Sequence, residues 1–145
     1  MAQKSMLRFW EGENYVELDV TPEEDTSLQG YGDAYVTVEV SSNGFRGHND
    51  LWVSLESLRG FCRALVALEA SRRGEAELES MSPEELHLKV HSITSRGHMA
   101  VSGITGYLIQ HESGGFWHAV EFGFEFDPSQ LASAAKLPWV LRYAV

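Results

Sequence analysis

Six histidines, His48, His87, His91, His98, His111 and His118, are the side chains of this 145-residue chain best suited to holding a metal. A catalytic zinc wants three protein ligands, each oriented by a group behind it. Two pairs approach this. If the turn at Glu112–Gly115 sets Ser113 opposite Phe116, then His111 lies opposite His118. His87 and His91 share one face of their own strand, with Lys89 between them. No spacing brings a third ligand to either pair, so the expectation is ordinary surface histidines, with no metal and no cofactor. A small metal-dependent enzyme built on His111 and His118 is the rival from another class.

Adjacent acids at Glu23/Glu24 and Glu84/Glu85 sit in polar, proline-containing turns. Nothing there supplies the burial or charge partner that moves a carboxyl into the range of acid–base catalysis. Gly103-Ile104-Thr105-Gly106 matches the bare Gly-x-x-Gly of one RNA-binding module, but that motif joins two helices and this one sits in an apparent strand. A glycine bulge or a close helix contact is expected instead. There is no Gly-x-x-x-x-Gly-Lys-Ser/Thr, no Gly-x-Ser-x-Gly and no Cys-x-x-Cys, which removes the commonest support for phosphate cradling, a serine-hydrolase elbow and structural zinc.

With catalytic signatures missing, charge becomes the informative feature. Between Glu11 and Glu39 the chain carries nine carboxylates and no Lys or Arg, and Glu75–Glu85 adds five more, within a net charge of −10. Such blocks repel nucleic acid and acidic membranes and steer basic partners inward. The expectation is a protein partner of basic character, no nucleic acid and no membrane. Candidate contact residues are Glu13, Glu17, Asp19, Glu23, Glu24 and Asp25. Trp117 is a possible anchor, because strand alternation sets it opposite Phe116 and Phe122 and beside Glu121; exposed there, it would be ringed by acids.

These residues need elements to hold them. Leu7–Trp10, Tyr15–Val20, Tyr35–Ser41 and Phe45–Val53 have strand composition, and Ser42-Asn43-Gly44 signals a hairpin that pairs the last two antiparallel. Thr21–Asp33 has the Pro, Gly and acid content of a solvated loop, expected to be the most mobile part. Apolar residues follow a 3.6-residue period over Leu55–Arg73, with Ser54 as N-cap and Gly74 as a left-handed stop. Gly60 in that helix costs about 1 kcal/mol against Ala and is expected to allow close approach to the sheet. Ala76–Ser80 and Leu86–Thr94 resume the extended pattern. His98–Gln110 and Phe116–Phe126 then form the longest hairpin, expected at the centre of the sheet. Ser129–Lys136 is expected to make one or two helical turns after Pro128, and the apolar tail Leu137–Leu141 to dock on the body.

Strands in runs around one helix indicate an α+β fold: a largely antiparallel sheet of about six to eight strands on one long helix, with a short C-terminal helix. One domain over residues 1–145 is expected from length, as a monomer or as a homodimer through unpaired strand edges. No segment approaches the roughly 18 apolar residues of a transmembrane helix. Met1–Ser5 lacks the apolar stretch of a secretory signal, so a cytoplasmic location is expected. The lone Cys62 sits on the apolar side of the helix and is expected to behave as a small hydrophobe.

The order of features resembles the WapI-type immunity proteins and their bacterial relatives over roughly residues 5–136. The resemblance is carried by the acidic N-terminal strands, the hairpin into Gly44-Phe45-Arg46-Gly47, the single helix Leu55–Ala70 and Gly74-Glu75-Ala76-Glu77-Leu78. Gly97-His98 opening a long hairpin and Phe122-Gly123-Phe124-Glu125-Phe126-Asp127-Pro128 complete it. It implies a small antitoxin that neutralises a toxin's C-terminal domain by direct binding, without shared catalytic residues. The combined expectation is a non-enzymatic binding protein that covers a basic toxin domain, with a self-associating structural module, extended through unpaired strand edges, as a further alternative.

Overall fold

A computed structural model describes residues 6–145; the expectation about Met1–Ser5 lies outside them. The element order is β1 (Met6–Glu11), β2 (Asn14–Pro22), β3 (Ala34–Ser42), β4 (Phe45–Val53), α1 (Leu55–Ser71), β5 (Glu75–Glu79), β6 (Leu86–Ser92), β7 (Met99–His111), β8 (Gly114–Phe126), α2 (Ser129–Ala135) and α3 (Pro138–Ala144). Every strand boundary falls within a few residues of its expected position. The α+β class holds, but the single sheet does not: the strands form two antiparallel four-stranded sheets, β1-β2-β3-β4 and β5-β6-β7-β8. Helix α1 carries the chain from one to the other, so β4 and β5 never pair.

Both sheets turn one face to a shared core. The two-residue repeat of an extended strand buries Leu7 and Phe9, then Val16, Leu18 and Val20, then Val36, Val38 and Val40, then Leu51 and Val53. Leu78, Leu88, Val90, Val101, Phe122 and Phe126 meet them from the second sheet. Ring centroids of Phe9 and Phe126 lie 4.4 Å apart across the layers. Helix α1 adds Leu58, Phe61, Cys62, Leu65 and Leu68. The tail docks as expected, although as a second C-terminal helix: Pro138 starts α3, which buries Trp139, Val140 and Tyr143.

The start of α1 follows the sequence, with Ser54 Oγ accepting from Ser57 N–H at 3.1 Å. Its end comes two residues early. Arg72 is the left-handed cap (φ 59°) and returns its N–H to Leu68 O at 2.7 Å, while Gly74, also at positive φ (102°), lies beyond the helix. Gly60 faces solvent, where an added Cβ would meet nothing within 4 Å, so it does not serve a close approach. Gly103 does: a Cβ there would lie 2.1 Å from the His87 carbonyl oxygen, a strand-to-strand contact rather than a bulge or a helix contact.

The long hairpin is at the edge, not the centre, because β8 is the last strand of its sheet. Strand β6 pairs with β7 only as far as Thr105. Beyond that point β7 and β8 run on as a two-stranded arm with exposed side chains on both faces, including Tyr107, Leu108, Ile109, Phe116 and Trp117. The loop after β2 is closed rather than merely solvated. Glu23 N–H donates to Asp33 O at 2.8 Å, Gly32 N–H to Glu23 O at 3.0 Å, and Tyr143 Oη to Gly32 O at 2.8 Å. Among the described residues, no helix is long and apolar enough to cross a membrane.

Candidate partner-binding face

The residues that alternate with the core of the first sheet form its outer face, and strand register arranges them in rows. One row runs Arg8, Glu17, Glu39, His48. Its neighbour holds Asp19, Thr37 and Asp50, and the flanking rows hold Tyr35 with Trp52, and Trp10 with Tyr15, Ser41 and Arg46. Four carboxylates thus gather at the middle of a surface whose ends carry aromatic rings. Trp10, Tyr35 and Trp52 are 41%, 40% and 42% exposed, well above what core tryptophans show.

The acids are held in place by neighbours on the same face. Glu17 Oε2 accepts from Arg8 Nε at 2.7 Å, and the Arg8 guanidinium lies 5.1 Å from the Trp10 ring and 5.5 Å from the Tyr15 ring. Asp50 Oδ1 accepts from Thr37 Oγ1 at 2.8 Å. His48 stands between two acids, Nδ1 at 3.3 Å from Glu39 and Nε2 at 3.8 Å from Asp50. Tyr35 and Trp52 pack edge to face at 5.6 Å. Rings fixed by neighbours lose little side-chain entropy on binding, and acids fixed between them set a register for cations.

The expected contact residues divide among this face, its two ends and the other sheet. Glu17 and Asp19 lie on the face. Glu13 is exposed in the β1–β2 turn, and Glu23, Glu24 and Asp25 stand at the far end of β2, a strand of nine residues and hence about 30 Å. Glu24 pairs with Arg142 of α3. Ser27 Oγ and N–H donate to Asp25 and hold its carboxyl below the usual range. Trp117 is 51% exposed but belongs to the arm of the second sheet. Leu108 lies across from it, and it lines a groove of about 650 Å³ with Arg46 and His48. It is therefore not ringed by acids.

Histidines do not converge either. The β7–β8 loop is tighter than assumed, pairing His111 with Gly114, so His118 faces Tyr107. The His111 ring packs on Phe116 and the His118 ring on Tyr107. His87 and His91 do share the outer face of the second sheet with Lys89. There His87 Nε2 lies 2.9 Å from Glu77, a contact that holds the Glu77 carboxyl below its ordinary value, and Lys89 lies 3.6 Å from Glu75. Among the described residues, no three His, Cys, Asp or Glu side chains gather as metal ligands.

Sequence reasoning left Trp10, Tyr35, Glu39, Asp50 and Trp52 out of the contact set. The signal was present: in Phe45–Val53, His48, Asp50 and Trp52 alternate with Asn49, Leu51 and Val53, which fixes a polar and aromatic face. What no single strand reveals is that Asp50 stands beside Thr37, which in turn stands beside Asp19.

No curated protein and no solved structure matches the chain. The model of the immunity protein WapI-like family matches residues 6–137, which take in both sheets, α1 and α2. The chain belongs to the WapI-like immunity protein family.

Proposed function

We propose that this chain is a non-enzymatic immunity protein of the cytoplasm that neutralises a basic toxin domain by lying over it, with the outer face of the first sheet as the contact surface. Family membership supports the toxin-neutralising role. The observation that carries the choice of surface is the cluster of Glu17, Asp19, Glu39 and Asp50 between exposed Trp10, Tyr35 and Trp52. An acidic centre complements a cleft that binds an anionic ligand, and flanking aromatic rings supply the buried anchors that dominate interface energies. Glu13 at one end, and Glu23, Glu24 and Asp25 at the other, act as steering charges at the rim. Occlusion needs no chemistry from the chain, only shape and charge.

The test compares association with the captured toxin domain for the wild-type chain and for Glu17→Lys/Asp19→Lys/Glu39→Lys, across a salt series. Charge-reversed protein should associate more slowly, with a flattened salt dependence. Trp52→Ala should raise the dissociation rate. Unchanged kinetics in both variants would overturn this choice of face.

A further inference from the structure

Sheet edges in this protein are treated unequally. The edge of β1 is sealed by the Gln130 side-chain amide, which accepts from Trp10 N–H at 2.9 Å and donates to Trp10 O at 3.0 Å. The edge of β5 is met by Ser57, whose hydroxyl donates to Glu79 O at 3.0 Å and accepts from Glu79 N–H at 3.3 Å. Such covers block edge-to-edge association. Strand β8 differs. Among the described residues its outer edge receives one hydrogen bond, Gly123 N–H to Ser42 Oγ at 3.4 Å, and Gly115–Glu121 receives none.

Which backbone groups face that edge follows from two contacts. Gly123 turns its N–H outward to Ser42. Gly106, the β7 partner of Ala119, directs its N–H to Glu85 O and its C=O to Asn49 Nδ2, both away from β8. Antiparallel ladders alternate by two residues, so Gly115, Trp117, Ala119 and Glu121 present free N–H and C=O groups outward. That set is centred on His118.

We propose that the chain pairs with a second copy of itself along this edge, β8 antiparallel to β8, about a two-fold axis at His118. Trp117 of each copy then faces Ala119 of the other, and Gly115 faces Glu121. Four such pairs exchange about eight hydrogen bonds. The two Trp117 rings become diagonal neighbours on one face, while Phe116 meets Val120 on the other. The large rings, 58% and 51% exposed in the single chain, thus gain cover from small residues. No acid opposes an acid. Met99–Val120 holds one carboxylate, Glu112, and no Lys or Arg, so two chains of net charge −10 meet where repulsion is least. A basic partner would find few carboxylates to engage on this arm, which is why a second copy is the occupant. The pairing uses backbone groups of β8 rather than the carboxylates of the first sheet, so it is separate from the toxin-binding reading, although Trp117, His118 and Ala119 share a groove with Arg46 and His48.

The experiment is sedimentation of the purified chain alone over a concentration series, with three variants. Wild type should form a dimer of twice the 16.2 kDa chain. Ala119→Pro removes one outward N–H at an edge position that proline tolerates in the monomer. It should keep its circular dichroism and weaken self-association by about tenfold or more. If that variant fails to fold, Trp117→Lys is read in its place, since it makes two lysines diagonal neighbours. His118→Cys should crosslink to its mate on mild oxidation while Phe116→Cys does not; buried Cys62 leaves wild type as the blank. A monomer at every concentration overturns the proposal, as does a dimer that survives Ala119→Pro and Trp117→Lys, or equal crosslinking at 116 and 118.

Discussion

Glu17 and Glu39 stand directly opposite each other on β2 and β3, each answered from the far side, Glu17 by Arg8 at 2.7 Å and Glu39 by His48 at 3.3 Å. Like charges directly across a sheet destabilise it modestly. Glu39→Thr, which places a good strand former in the row, is therefore expected to raise stability by about 0.5 kcal/mol at low salt. The same change should slow toxin association. Denaturant unfolding with binding kinetics on the same variant checks both directions; lower stability together with unimpaired binding would contradict the assignment.

Gln130 ties α2 to the edge of β1 through both backbone groups of Trp10. Gln130→Ala leaves those partly buried groups without partners, at a cost of about 1–3 kcal/mol. It also uncovers an edge. Urea titration should show the loss, and light scattering on warming should show earlier aggregation than for a surface control such as Ser133→Ala.

Two glycines should respond oppositely to alanine. At Gly103 the new methyl would press on the His87 carbonyl, and at Gly60 it would meet open space. Gly103→Ala is expected to cost about 3 kcal/mol or more, whereas Gly60→Ala in the exposed middle of α1 should add about 0.5–1 kcal/mol. Thermal melts of the two variants side by side decide this.

Burial within the core pushes the Cys62 thiol from an ordinary 9.0 up to about 12. In the unfolded chain the thiol ionises first, so the folded state holds the extra proton and loses stability as pH rises from about 9 to about 12. Below pH 9 this contribution is constant. Cys62→Ala should flatten the alkaline slope, measured by denaturation at stepped pH. In native protein at neutral pH a thiol reagent should leave Cys62 unmodified until the chain unfolds.

The amino-acid sequence determined whatever depends on near neighbours along the chain. Strand composition bounded by turn residues marked all eight strands, two-residue alternation separated the two faces of β8, Ser54 marked the start of α1, and Asn43-Gly44 marked the β3–β4 hairpin, where both residues take positive φ. The family resemblance was legible too, because element order and short motifs survive without knowledge of packing. Tertiary structure decided how those strands were partitioned and paired. Periodicity says which face of a strand is buried but not which strand lies beside it, so one sheet and two sheets look alike in sequence. Pairing likewise separated His111 from His118, took Trp117 away from the acids, and brought Asp50 of β4 into one row with Thr37 and Asp19. Charge along the chain told that a basic partner would be attracted. Only hydrogen-bonded register, a property of residues tens of positions apart, gathered Glu17, Asp19, Glu39 and Asp50 on one surface between three exposed rings.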